Sequence, residues 1–237
     1  MKLKLEKVVP WGRSFSEYIR MFDLKPNELK LKILDCGGGP ASFNVEMTNQ
    51  GNKVISCDPI YEFGAMEIAR RIDEVYPTII ANAEANRDSF VWTEFESPSQ
   101  LGQIRMAAMQ QFLADFPVGV KEGRYLTHQL PLLPFETGEF DLALCSHLLF
   151  TYSDQLSETF HLEAIREMCR VAKEARIFPL LVNFSGEPSV HLQPVMNKLV
   201  QEGYQIEVKQ VHYEFQRGGN QLLSIKSPSL EVLSAEC

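Results

Sequence analysis

The 237-residue sequence lacks a paired-cysteine framework. Its five cysteines stand at 36, 57, 145, 169 and 237, an odd number, widely spaced and without a CxxC pair. That pattern supports neither a disulfide-stapled fold nor a zinc site. No His-x3-His pair or cysteine cluster supplies another ligand set, so no metal is expected. Cys36, Cys57 and Cys145 end apolar runs. They read as small, reduced core residues, which suits a cytoplasmic protein. No run approaches the roughly 18 apolar residues of a membrane span. The start, Met1 to Lys7, alternates charged and apolar residues and holds no signal-peptide core. A basic excess is missing too: 23 Lys and Arg face 31 Asp and Glu, a net charge of −8. Phosphate contacts supply most non-specific nucleic-acid affinity, so nucleic acid is not the expected partner. Linker tracts and internal repeats are absent. One domain over residues 1–237 is expected, with a 45% hydrophobic content sufficient for one core.

What is present is an alternation of short apolar runs and amphipathic segments. Residues 1–30 form an N-terminal helical segment, with Phe15, Tyr18, Ile19 and Phe22 on one face of a helix over Ser14–Phe22. Strands are expected at Leu31–Leu34, Lys53–Cys57, Arg124–Thr127, Phe140–Cys145, Arg176–Val182, Gln205–Phe215 and Gln221–Ile225. Helices are expected at Ala41–Asn49, Phe63–Tyr76, Leu156–Ala172 and Pro194–Gln201. The stretch 78–123, 46 residues long, separates the second helix of this core from its third strand. A structureless loop of that length is uncommon, so it reads as a helical insertion, or cap. Leu101, Ile104, Ala108, Met109, Phe112 and Phe116 share a face of its helix. Gly218-Gly219 turns the last two strands into a hairpin. The sum is an α/β fold: a doubly wound, mostly parallel seven-stranded sheet with a C-terminal antiparallel hairpin and a helical insertion. Ligands of such sheets bind beyond the strands' carboxyl ends, at the switch in strand order.

The first strand runs into Asp35-Cys36-Gly37-Gly38-Gly39-Pro40, and a helix follows. Glycine lets the backbone turn sharply and lets a ligand approach closely. The helix beyond offers free N–H groups. Asp58 ends the second strand, 19 residues after Gly39. A carboxylate there can accept hydrogen bonds from both hydroxyls of a ribose. A dinucleotide site wants G-x-G-x-x-G, but Ser42 stands where the third glycine belongs. Asp35 would repel a pyrophosphate and favour an ammonium.

These residues resemble the class I S-adenosylmethionine (SAM) dependent methyltransferases, over roughly Leu31 to Lys226. Asp35-x-Gly37-x-Gly39 resembles that family's first motif, with Ala41 in place of its usual third glycine. The resemblance implies a SAM cofactor, with S-adenosylhomocysteine (SAH) as product. It implies cofactor contacts from Asp35, Cys36, Gly37, Gly38, Gly39, Cys145 and Ser146, with Asp58 on the ribose and Pro59-Ile60 on the adenine. Among Thr127, His128 and Gln129, Gln129 is the choice for the adenine amino group. In the N-terminal helix, which often closes over the cofactor in that family, Arg13, Ser14 and Tyr18 are candidate contacts, Arg13 to the methionine carboxylate.

Methyl transfer needs binding and alignment above all, and a base only where the acceptor must lose a proton. His147, just past the fourth strand, is the catalytic candidate; a plain loop hydrogen bond is its other reading. His161 reads as a residue on the exposed face of its helix. Cys145-Ser146-His147-Leu148 replaces the Asn/Asp-Pro-Pro-Tyr/Phe signature of enzymes that methylate amino groups of nucleic acids and proteins. An insertion carrying Trp92, Phe95, Met106 and Met109 suits a small or partly apolar acceptor. It equally suits a homodimer contact or plain packing. A SAM- or SAH-binding regulator without catalysis, and an NAD(P)-dependent oxidoreductase, are the alternative functions.

Overall fold

The computed structural model describes residues 9–183 and 186–228. The readings of Met1–Lys7 and of Cys237 lie outside these residues. Seven strands form one sheet: β1 Lys32–Cys36, β2 Lys53–Cys57, β3 Tyr125–Leu126, β4 Phe140–Ser146, β5 Ala172–Phe178, β6 Gln205–Gln210 and β7 Gln221–Lys226. Their order is β3-β2-β1-β4-β5-β7-β6. All pairings are parallel except those of β7, which runs antiparallel to both β5 and β6. This is the expected class I methyltransferase sheet, with the chain switching sides between β1 and β4.

Among the described residues six helices flank it: α1 Phe15–Met21, α2 Phe43–Asn49, α3 Ala65–Ala85, α4 Pro98–Lys121, α5 Glu158–Val171 and α6 Leu192–Gln201. Ser14 caps α1 in a capping box with Glu17, whose carboxylate accepts from the Ser14 N–H. One apolar cluster lies between the sheet and α5 and α6, around Leu34, Ala143, Ile165, Met168 and Leu199. A second, around Tyr18, Phe22, Phe43 and Leu144, fixes α1 and α2 on the other side. No helix of the described residues is long and apolar enough to cross a membrane.

Four elements differ from the sequence expectation. Helix α3 does not stop before Pro77 but runs through it to Ala85. An interior proline costs about 3 kcal/mol. Past Pro77, Ile79 is buried, and Ala83 shares a core with Phe90 and Phe95 and with Leu101 of α4. Burying one isoleucine contributes roughly 1.5–3 kcal/mol, which offsets the proline. The two helices approach closely at Gly102, where a Cβ would lie 2.3 Å from the Tyr76 hydroxyl. On α4, Ile104 is exposed, and Arg105, only 1% exposed, takes the inward place beside Leu101 and Ala108. Strand β5 spans Ala172–Phe178 rather than Arg176–Val182; Pro179 has no N–H to continue the ladder. Its Arg176 is buried against Glu28 and Glu174. Strand β6 ends at Gln210, because residues 211–217 leave the sheet for the insertion. Val91 N–H donates to Phe215 O (2.8 Å) and Arg217 N–H to Ser89 O (2.9 Å).

Candidate functional site

A cavity of about 750 Å3 opens beyond the carboxyl ends of β1, β2, β4 and β5. The turn Gly37-Gly38-Gly39 forms its floor, with Gly37 at φ +68° and Gly39 at φ +53°. Only glycine adopts such angles without strain. A Cβ on Gly38 would lie 2.3 Å from the Asp35 carboxylate, and one on Gly37 2.9 Å from Leu148. The turn is therefore tightly packed at Gly37 and Gly38, while a Cβ on Gly39 would meet only the Asp58 carboxylate, at 3.9 Å.

Asp58 lies at the edge of this floor. Its Oδ2 accepts from the Gly39 N–H (3.0 Å) and its Oδ1 from the Ile60 N–H (2.8 Å). The second bond caps the short 3-10 turn Pro59–Glu62, so Pro59 and Ile60 stand beside it on the wall. Burial pushes the Asp58 carboxyl up to about 6. Each carboxylate oxygen retains a free lone pair for a ligand hydroxyl.

Arg13, Tyr18, Gln129, Ser146 and His147 also line the cavity. Gln129 stands at an exposed rim, bridged to Leu132, while Thr127 and His128 do not line the cavity. Ser14 instead caps α1. Asp35, Cys36 and Cys145 do not line the cavity either. Asp35, 1% exposed, accepts from the Tyr18 hydroxyl (3.1 Å) and the Ser56 hydroxyl (3.0 Å) under the turn. Burial pushes its carboxyl up to about 7. Cys36 pairs in register with Cys57 on one side and Cys145 on the other; all three are free and buried. Burial raises their thiols, to about 12 at Cys57 and Cys145.

His147 follows β4 with φ +53°, a rare conformation for a side-chain-bearing residue. Its N–H donates to Phe178 O (2.7 Å), and its Nδ1 lies 2.9 Å from the Ser146 hydroxyl. Burial, with the charges of Arg13 and Arg105, holds the imidazole well below its usual pKa, so it is neutral at pH 7. His161 overturns its expected place: it is fully buried rather than on an exposed face. Its Nε2 accepts the Phe150 N–H (2.9 Å), and its Nδ1 lies 2.7 Å from Ser157 O. That pairing fixes the Nδ1–H tautomer and holds the loop after His147, where Phe150 has φ +66°. The helical register alone did not reveal that this loop folds back over α5.

Sequence reasoning also missed Arg105 and Tyr213. Arg105 Nη2 lies 2.7 Å from Glu17 Oε1, and the Tyr213 hydroxyl donates to the same oxygen at 2.7 Å. This trio joins α4, α1 and the segment after β6 above the cavity. A charged residue on an apolar helix stripe, four after Leu101, was the available signal. The strap Trp11-Gly12-Arg13 lies on the glycine turn: a Cβ on Gly12 would fall 2.0 Å from Pro40 O, and the Ser42 N–H donates to Arg13 O (3.0 Å).

No family profile matches the chain. Among solved structures it is similar to PH0226 of Pyrococcus horikoshii, at 12% identity over 91% of each chain with a TM-score of 0.46. It is also similar to magnesium protoporphyrin IX methyltransferase of Synechocystis with bound SAM, at 12% identity over 90% of each chain with a TM-score of 0.41. The "uncharacterized protein MJ0045" of Methanocaldococcus jannaschii is 32% identical over 225 residues, 94% of this chain and 98% of that one. By that extent of identity the chain, with its class I methyltransferase fold, belongs to the family of MJ0045.

Proposed function

We propose that the cavity binds SAM and that the protein transfers its methyl group to a small-molecule acceptor. The observation that carries this reading is Asp58. It lies on the cavity wall at the end of β2, tied to the third glycine of the turn and holding spare acceptor capacity. The floor would take the methionine and ribose parts, which only glycines let approach so closely. Pro59, Ile60, Gln129 and Ser146 line the cavity. The first three would border the adenine and Ser146 the methionine part. Ser42 opposes a dinucleotide reading: it is fully buried, accepts the Phe15 N–H (3.2 Å) and donates to Glu46 (2.5 Å).

Bound SAM would supply an electrophilic methyl on a sulfonium. The chain's task is to align the acceptor and exclude water. His147, neutral at pH 7 and with only Nδ1 engaged, would receive the acceptor's proton where one is lost.

A ligand that binds only the native state must raise its melting temperature. SAM and SAH are therefore expected to stabilise the protein, and NAD and NADP not. Stabilisation by NAD with none by SAM or SAH would overturn this reading. His147→Gln is expected to lower the rate constant of methyl transfer by about 10²–10⁴-fold for an acceptor that loses a proton. An unchanged rate constant for such an acceptor would remove His147 from the proton's path.

A further inference from the structure

Beyond the glycine floor the cavity extends toward α4 and residues 211–219. Its walls there are Ile79, Phe90, Leu101 and Phe215, with Arg105 and Tyr213 among them. Phe90 and Phe215 stack at 4.7 Å. Two guanidiniums, Arg13 and Arg105, line the cavity, and one buried carboxylate, Glu17, stands behind them. Glu17 is committed to Arg105, Tyr213 and Ser14. Arg13 donates through Nη1 to the Trp11 carbonyl (2.7 Å) and has no carboxylate partner among the described residues. The Nε atoms of Arg13 and Arg105 are both buried without a hydrogen-bond partner. Burial and the charge of Arg105 lower the Arg13 guanidinium to about 10. The charge of Glu17 reaches Arg13 as well as Arg105, but one carboxylate does not neutralise two guanidiniums out of bulk water. An anion between the two side chains would offset the remaining charge.

We propose that the methyl acceptor is a small carboxylic acid, its carboxylate held between Arg13 and Arg105 and its apolar body against Phe90 and Phe215. The proposal rests on the methyl-transfer reading above. Planar guanidinium edges match a planar carboxylate. Among the described residues no lysine lines the cavity to serve a bulkier, more highly charged phosphate. Arg105 reaches the cavity beside Tyr213, whose ring packs edge-on against Phe178 at the end of β5. That is the β4–β5 side, away from Asp58 at the end of β2, and His147 stands between. An acid bound there would present its reactive group near that imidazole.

The same chemistry could come from the cofactor's own carboxylate, and competition separates the two sources. The probes are benzoate and its neutral counterpart benzamide, titrated by calorimetry into protein with and without saturating SAH. Benzoate is expected to bind both forms, at least about tenfold more tightly than benzamide, as a charge-assisted pair requires. Arg13→Gln, which leaves the Glu17–Arg105 pair intact, is expected to remove that preference, as is the double variant Glu17→Gln/Arg105→Met. Benzoate binding abolished by SAH would assign the arginines to the cofactor and overturn the acceptor class. Equal binding of the two probes, or an unchanged preference in Arg13→Gln, would overturn the anion site itself. Failure of SAH to bind would sink the methyl-transfer reading, while the benzoate–benzamide contrast would still decide the anion site.

Discussion

Replacing Asp58 by asparagine is expected to weaken SAH binding by about 10- to 100-fold, because hydrogen bonds to a charged acceptor contribute about 1.5–3 kcal/mol. Asparagine keeps one acceptor oxygen but cannot take both ribose hydroxyls while also accepting the Gly39 and Ile60 N–H groups. The pH dependence is distinctive. Burial places the free Asp58 carboxyl at about 6. Above that pH it is ionised and a full acceptor, so wild-type affinity should be flat from pH 7 to 8. As the pH falls through about 6 it takes up a proton and affinity drops, approaching tenfold per pH unit. The Asp58→Asn side chain has no proton to gain and should show no such limb. Asp35, pushed by burial to about 7, titrates nearby, so Asp35→Asn is the control that separates the two. Calorimetry across pH 5–8 measures all three; an Asp58→Asn variant with wild-type affinity would take Asp58 out of the site.

The same two carboxyls fix the sign for the ligand-free protein. Their folded pKa values lie above the ordinary aspartate value of 3.8, so the native state holds protons that the unfolded chain has released. Stability from these groups is therefore greatest at low pH. It declines as the pH rises from about 4 to 7.

Breaking the Glu17–Arg105 pair is expected to cost about 3–5 kcal/mol, the penalty for leaving one buried charge alone. Both side chains are 1% exposed and 2.7 Å apart. Burial by itself would raise the Glu17 carboxyl. Arg105, the Ser14 N–H and the Tyr213 hydroxyl override it and hold the group below its usual range. This stabilisation is present above the ordinary glutamate range and lost as pH falls below it. Arg105→Met leaves Glu17 and Tyr213 facing each other without the direct ion-pair partner, with only the more distant charge of Arg13 acting on them. Glu17→Gln/Arg105→Met removes both charges and should recover most of the loss, because neutral groups of similar size bury without that penalty. Denaturant unfolding of the single and double variants measures the coupling. Additive losses would show that the pair does not act as a unit.

Local patterning explains what the sequence disclosed. Lys53–Cys57 is a strand with the bounds expected, and Gly37, Gly39 and Asp58 occupy the floor and edge where their spacing put them. These features depend on backbone angles and strand order, which neighbouring residues encode. Asp35 was legible as an acid at the turn, but its engagement with Tyr18 and Ser56 beneath the turn was not. Those partners are 17 and 21 residues away. His161 was read by helical register as exposed, and only the returning loop at Phe150 buries it.

The sequence by itself determined the α/β sheet, its glycine turn and the acidic residue at the end of β2, because each is a matter of period and short spacing. Tertiary structure alone decided what walls the cavity beyond the turn. Glu17, Arg105 and Tyr213 meet across separations of 88 to 196 residues. A buried charge pair of that reach leaves no local periodicity. Its placement follows from which helix faces pack together, and so from the whole chain at once.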